Sequence, residues 1–479
     1  MIRVALRTED DVLVVEGDGT APEQLDARGR RARTAATIDT TRGRWRAELP
    51  LRIARWGGAV RALPSGGYEL RLDGAMLSGV GMPRTVGTTL AATLSDGTLV
   101  VGPPLADAHA DAAGQAVLER AYAAGGEALE NAVFFESFYG RNASCNPRAI
   151  DAELARTAPG VTRYWSVVDL SVEVPGGATA VVEGSPEWWR ARGSARLLIV
   201  NDWLRRRFVR RPGQRVLQTW HGTPLKRLAL HRPGFDPRRA LAVLRESRRW
   251  DVLLAQNPYA ARILAKAYAF VGRPVWVEGY PRNDVLRTGD RAAARASLGL
   301  SEGDRAILYA PTWRDDREQM VDFLDAERLA RDAGAVVLVR GHSRTLIPGS
   351  DRAGSRVVDV TGYPDISELL LAADALVTDY SSVMFDFTAT GKPVYFFTPD
   401  LEHYRGRLRG FYFNLAGRAP GPVTATQEDL TAALLDPGTS ERFADRYAAW
   451  AARFNARDDG RAAERVVARL LDQGFVERG

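Results

Sequence analysis

The sequence predicts an α/β protein: two facing, doubly wound Rossmann-type units with a ligand cleft between them, preceded by a β-rich, sandwich-like N-terminal domain. Three observations predict it. The chain has 479 residues, more than one ordinary domain accommodates. From Asn131 onward short apolar runs alternate with amphipathic segments, and the alternation begins afresh near Ala306. Before about residue 105 the pattern is instead that of short strands punctuated by Gly, Pro and Asp.

In chain order, residues 1–105 carry VLVVEG, YELRLDG and TLVVG, which read as strands of a small β-sandwich. DAHADAAGQAVLERAYAAGGEALE follows, an Ala-rich stretch of helical period that predicts one or two connecting helices. The first α/β unit, 106–285, contains the apolar runs NAVFFESF, TRYWSVVD, ATAVVEGS, ARLLIVND, RVLQTWHG, DVLLAQN and VWVEGY, as a parallel sheet with helical crossovers requires. A charged, polar linker is expected near 285–305. The second unit, 286–479, runs through AILYAPTW, AVVLVRGH, RVVDV, ALVTDY and PVYFFTPD. Helix-like PDISELLLAAD and SVMFDFTATG lie between these runs, and helices close the chain.

Composition narrows the function. Hydrophobic residues at 45% and charged residues at 26% are ordinary for a globular chain, and no apolar run approaches the roughly 20 residues that span a bilayer. The opening MIRVALRTED lacks the charged-then-apolar layout of a secretory signal, and a single cysteine, Cys145, excludes an internal disulfide framework. The expectation is a chain that stays inside the cell. Net charge is +6, carried almost entirely by arginine, so anionic partners are expected. Nucleic acid is not among them, because no zinc-finger spacing, basic heptad segment or RNP-like aromatic motif accompanies the charge.

The chemistry-bearing residues sit where strands should end, the place where doubly wound sheets bind ligands. QTWHGTPLK (218–226) offers His221, an imidazole able to act as a base at neutral pH, beside Gly222, which permits close backbone approach. GYPRND (279–284) directs Arg282 toward the cleft, where a guanidinium can grip phosphate through paired donors. APTWRDD (310–316) and VRGHSR (339–344) bring Thr312, Arg314, Arg340, His342 and Arg344 to one rim. In ALVTDYSSVMFDF (375–387) an apolar strand turns directly into Ser381 and Ser382 at a helix start, where free N–H groups bind phosphate. Asp386 falls one turn past Ser382 and is expected to reach a ligand hydroxyl.

Together these motifs resemble the CDP-glycerol glycerophosphotransferase family, the teichoic acid primases and polymerases. The family's WHGTPLK, GYPRND, YAPTxR, RxH and DxLITDYSSxxFD motifs all stand here in order, within about residues 130–415. FFESFYGRNASCNPRAI looks like the family's opening motif, and PVYFFTPDLEHYRGRLRGFYF resembles its closing segment. Gly341 stands between Arg340 and His342, and Val377 replaces isoleucine, departures too small to threaten the resemblance.

The resemblance implies a GT-B fold in which the second unit holds most of a CDP-polyol. It implies His221 and His342 as catalytic residues, with His221 the base. It further implies donor or substrate contacts from Trp220, Gly222, Thr223, Pro224, Arg282, Pro311, Thr312, Arg340, Gly341, Ser381, Ser382 and Asp386. An acceptor hydroxyl would attack the phosphorus nearer the polyol and CMP would leave. Glycerol is the favoured polyol, and the acceptor is expected to be a lipid-linked anionic polymer. A basic chain without a spanning segment is then expected to act peripherally at the cytoplasmic face of an anionic membrane. No Asp/Glu/His cluster has metal-site spacing, so no tightly held metal is expected, which leaves room for Mg²⁺ travelling with the donor pyrophosphate. The rivals are a GT-B glycosyltransferase using a nucleotide sugar and a noncatalytic polyanion-binding protein. The β-rich residues 1–105 lie outside the resemblance and are expected to form an accessory module that docks acceptor, membrane or a second protomer rather than donor.

Overall fold

The computed structural model describes residues 2–312, 324–341, 356–401 and 410–478. The N-terminal region forms two antiparallel sheets. One has four strands in the order Arg3–Arg7, Val12–Asp18, Arg44–Pro50, Thr37–Thr41. The other runs Met82–Val86, Ala91–Ser95, Thr98–Gly102, Gly66–Leu72, Leu25–Gly29, Arg33–Ala35. The period of two decides what each face does: RWRAELP buries Trp45, Ala47 and Leu49 and leaves Arg44 and Arg46 in solvent. The two inner faces share one core containing Leu13, Val15, Trp45, Leu70 and Leu99. Helices Asp107–Ala110 and Ala112–Ala124 connect this module to the rest, the second capped by the Asp111 carboxylate accepting from the Gly114 N–H.

Two parallel sheets follow. From edge to edge the first runs Thr179–Val182, Thr162–Val167, Glu130–Glu136, Ala195–Val200, Arg215–Gln218, Val252–Ala255, Val275–Val277. The second runs Val357–Asp359, Val336–Val339, Ala306–Ala310, Ala375–Thr378, Val394–Phe397, Val423–Thr424. In each, the strand first in sequence lies inside the sheet, and the chain order reverses beside it. That reversal opens a crevice at the strand C-termini. Helices cover both faces, so central strands such as Ala306–Ala310 are buried along their whole length and read as unbroken apolar runs. Among the described residues, no helix is long and apolar enough to cross a membrane.

Two placements differ from the sequence reading. The segment expected to be a polar linker contains helices Val285–Thr288 and Arg291–Ser297, whose Leu286 and Ala294, with the adjacent Leu298, enter the second unit's core. Its charge misled because Arg295 is buried and spends its guanidinium on the carbonyls of Ala372, Ser301 and Asp304. The last helix, Ala462–Asp472, falls in sequence within the second unit, yet Val466, Val467 and Leu470 lie in one core with Val133, Leu197 and Trp276 of the first. The Asp284 carboxylate fastens its start by accepting from the N–H groups of Ala462 (2.9 Å) and Ala463 (2.8 Å). A helical period announces an apolar face without saying which sheet covers it.

Candidate active site

His221 lies in the turn after strand Arg215–Gln218. Its Nδ1 is 2.6 Å from the carbonyl oxygen of Asn201, the residue following the neighbouring strand. A carbonyl only accepts, so Nδ1 carries the proton and Nε2 of the neutral ring presents its lone pair. The ring stacks on Trp220 with centroids 4.8 Å apart and meets Phe138 at 5.3 Å. Burial lowers the imidazole pKa below its ordinary value and Arg282 adds to that, while Asp202 and the Asn201 hydrogen bond oppose it. A neutral, oriented base at neutral pH is the result. The surrounding backbone is strained: Phe138, Tyr139, Cys145 and Trp220 all have φ between 46° and 65°, a region that non-glycine residues seldom enter. Asn146 holds the turn by donating to the carbonyls of Trp220 (3.0 Å) and Thr219 (3.3 Å).

Beneath this turn lies a buried polar network that joins the two units. Arg282 Nη2 donates to Asp386 Oδ2 at 2.5 Å, with side chains 5% and 4% exposed, and Asn283 donates to the other carboxylate oxygen at 3.0 Å. Arg282 also donates to Cys145 Sγ at 3.2 Å. Gln256 accepts from the Thr223 hydroxyl at 2.5 Å and donates to Asp458 at 2.7 Å. Burial, with the nearby charge of Asp386, pushes Asp458 up to about 6. Burial alone would lower the Arg282 pKa, but Asp386, Cys145 and Tyr280 together outweigh it and hold the guanidinium protonated; burial raises the Asp386 pKa, and the charge of Arg282 with the hydrogen bonds from Asn283 and Arg282 opposes that rise.

Arg282 and Asp386, expected at a cleft phosphate and a ligand hydroxyl, are paired with one another in this structure. Thr223 is fully buried on Gln256, and buried Pro224 turns its carbonyl to Tyr259 (2.9 Å). Strand-end polar residues satisfy one another as readily as they satisfy a ligand.

The second unit supplies the facing rim. Asp379 accepts from the N–H groups of Thr312 (2.8 Å) and Tyr380, tying the turn after Ala306–Ala310, which holds Pro311 and Thr312, to the turn after Ala375–Thr378. Ser381 and Ser382 follow, both partly exposed, and the Ser382 hydroxyl makes no cap to helix Val383–Phe387. Arg340 ends strand Val336–Val339; its Nη1 donates to the carbonyls of Tyr363 (2.9 Å) and Val360 (3.2 Å). Burial lowers its pKa to about 10, which still leaves it cationic at neutral pH. The Gly341 N–H is taken by the Thr361 hydroxyl at 2.8 Å. His342, Arg314 and Arg344 lie outside the described residues.

The rims meet. A Cβ added at Gly222 would stand 2.6 Å from Ser382 Oγ, so this glycine admits the opposite serine turn. A short backbone ribbon closes the same seam: Arg227 N donates to Gly410 O at 3.1 Å, and Tyr412 N to Leu225 O at 2.9 Å. The arrangement sets the turn of a neutral imidazole on one wall against the serine turn on the other, with Arg340 at the end of another strand of the second unit. The sequence reading passed over Asn201 and Asp202, which orient and tune His221; their position at the end of ARLLIVND was the available signal. Among the described residues no group of three His, Cys, Asp or Glu could hold a metal ion.

Residues 126–472 match the family model described as CDP-Glycerol:Poly(glycerophosphate) glycerophosphotransferase. The chain is 34% identical over 358 residues to the teichoic acid poly(glycerol phosphate) polymerase of Bacillus subtilis, covering 70% of this chain and 48% of that one, so it spans about half that relative's length. It is also 34% identical over 374 residues to the teichoic acid glycerol-phosphate transferase of Staphylococcus aureus, covering 70% of this chain and 92% of the relative. Among solved structures it resembles a variant of the wall teichoic acid polymerase TagF soaked with CDPG. That likeness has TM-score 0.67 and 32% identity and covers 72% of this chain and 90% of the other. With the family model spanning most of its length and the GT-B architecture shared, this chain belongs to the CDP-glycerol:poly(glycerophosphate) glycerophosphotransferase family.

Proposed function

We propose that the protein transfers glycerol phosphate from CDP-glycerol to a hydroxyl of a lipid-linked, teichoic-acid-type acceptor and releases CMP. The observation that carries this reading is His221, its Nδ1–H committed to the Asn201 carbonyl and its turn seated against Ser382 across the cleft. In the reaction, Nε2 takes the proton of the acceptor hydroxyl as that oxygen forms a bond to the phosphorus nearer glycerol. The bond from that phosphorus to the bridging oxygen breaks, and CMP departs with the electron pair. Charge on the phosphates is met by Arg340 and by the Ser381–Ser382 turn, a kind of contact worth roughly 3–4 kcal/mol per donor in the transition state. His342 is assigned to the departing CMP phosphate by family resemblance. Any Mg²⁺ would travel with the donor pyrophosphate.

The acceptor is lipid-linked in this reading, and the surface beside the His221 loop suits a membrane. Helix Pro237–Ser247 and the turn before it present Phe235, 90% exposed, and Leu241, 48% exposed, among exposed Arg238, Arg245 and Arg248. Apolar side chains ringed by arginines bind an anionic bilayer surface without crossing it. We assign this face to the cytoplasmic leaflet.

Product analysis tests the proposal. Purified protein with CDP-glycerol and a lipid-linked acceptor should release CMP in step with acceptor extension, and CDP-ribitol should serve poorly. Release of CDP or UDP from a nucleotide sugar would indicate a glycosyltransferase. Binding of the acceptor without turnover of either CDP-polyol would indicate a polyanion-binding protein.

A further inference from the structure

The N-terminal module lies outside the family match, which begins at residue 126, yet it touches the donor side of the cleft. Strands Arg52–Ile53 and Arg61–Ala62 form a two-stranded ribbon whose turn, Arg55–Gly58, is closed by Gly58 N donating to Arg55 O at 2.9 Å. Trp56 occupies the tip at φ 54°, followed by Gly57 at φ 68°. Left-handed backbone suits glycine or asparagine, and a tryptophan there persists only where its surroundings hold it.

What holds it is the second unit. The indole meets the Tyr363 ring edge-on at 5.4 Å and lies over Gly362, whose missing Cβ would stand 3.9 Å from Nε1. Tyr363 is 5% exposed and has three attachments. Its hydroxyl donates to Glu368 (2.6 Å) and lies 3.0 Å from Ser297 Oγ at the end of helix Arg291–Ser297, and its carbonyl accepts from Arg340 (2.9 Å). The ribbon and the segment after it are anchored on the first unit, where Arg55 of the turn donates to the Ser171 carbonyl (3.3 Å) and Ser65 N to Asp169 (2.8 Å).

We propose that Trp56 is a positioning residue: its ribbon anchored on the first unit, it braces Tyr363 against helix Arg291–Ser297 and thereby sets the Arg340 guanidinium for the donor's phosphates. The inference rests on the reading of Arg340 as a donor contact. It departs from the expectation that residues 1–105 dock acceptor, membrane or a second protomer rather than donor.

The test uses the full chain and CMP release at saturating acceptor. Trp56→Asn removes the ring while fitting the left-handed backbone, so its thermal midpoint should match wild type. The KM for CDP-glycerol should rise about fivefold, within the range of couplings carried through packed side chains, with kcat changed less. Trp56→Phe should restore most of the affinity. Trp56→Gly, equally suited to that backbone, repeats the test should the Asn variant be insoluble. An unchanged donor KM in the ring-deleted variant, with or without a lowered midpoint, overturns the inference. Arg340→Ala run in parallel separates the two failures. A raised donor KM there with a silent Trp56 variant refutes only the brace, whereas an unchanged donor KM refutes the reading of Arg340 itself.

Discussion

Arg282 and Asp386 form a single buried ion pair, 2.5 Å from Nη2 to Oδ2, that joins GYPRND of the first unit to the DYSSVMFD turn and helix of the second. Two motifs that each look like half of a ligand site therefore double as the fastening between units. Removing one partner strands a buried charge, so Asp386→Ala should cost about 3–5 kcal/mol in chemical denaturation. The apolar pair Arg282→Met with Asp386→Leu should recover much of that loss. A single variant within about 0.5 kcal/mol of wild type, the ordinary range for surface substitutions, would show that the pair does not hold the units.

Gly222→Ala should act as a wedge. Its methyl group would fall 2.6 Å from Ser382 Oγ, and displacing one rim by about 1 Å can cost on the order of a hundredfold in turnover. Ser382→Gly in the same chain should return part of the activity. Full activity in Gly222→Ala alone would mean that the two turns do not meet during catalysis.

The pH profile follows from His221. Nε2 must be unprotonated to act as base, and burial lowers the ring pKa, so kcat/KM should rise with pH along a limb below 6.5 and be level at neutrality. Asp202 favours the protonated ring, so Asp202→Asn should move that limb to still lower pH. Movement to higher pH would contradict the assignment of both residues.

Membrane association should depend on Phe235, Leu241 and salt together. Phe235→Ser with Leu241→Ser removes two apolar contacts and should weaken binding to anionic vesicles about tenfold or more, since burying one such side chain contributes about 1.5–3 kcal/mol. Raised salt should release the wild-type protein. Vesicle binding that ignores both would locate the docking face elsewhere.

Most of the fold was legible because each layer leaves its own period in the sequence. RWRAELP alternates, AILYA is unbroken, and the chemistry-bearing motifs fall at strand ends. What the sequence hid was partnership. Arg282 and Asp386 lie 104 residues apart, and a strand-end arginine has the same local pattern whether it faces a phosphate or a carboxylate. Asn201 acts through a backbone carbonyl, which no side-chain motif advertises, and Trp56 matters through a fold contact with Tyr363 more than 300 residues away.

The central claim, that His221 is the base of phosphoglycerol transfer, is tested most directly by pairing CMP release with calorimetric titration of CDP-glycerol in His221→Ala. Loss of a positioned base should lower turnover by about 10²–10⁴ while donor affinity stays within about threefold, since the imidazole acts on the acceptor hydroxyl. Turnover near that of wild type would contradict the account.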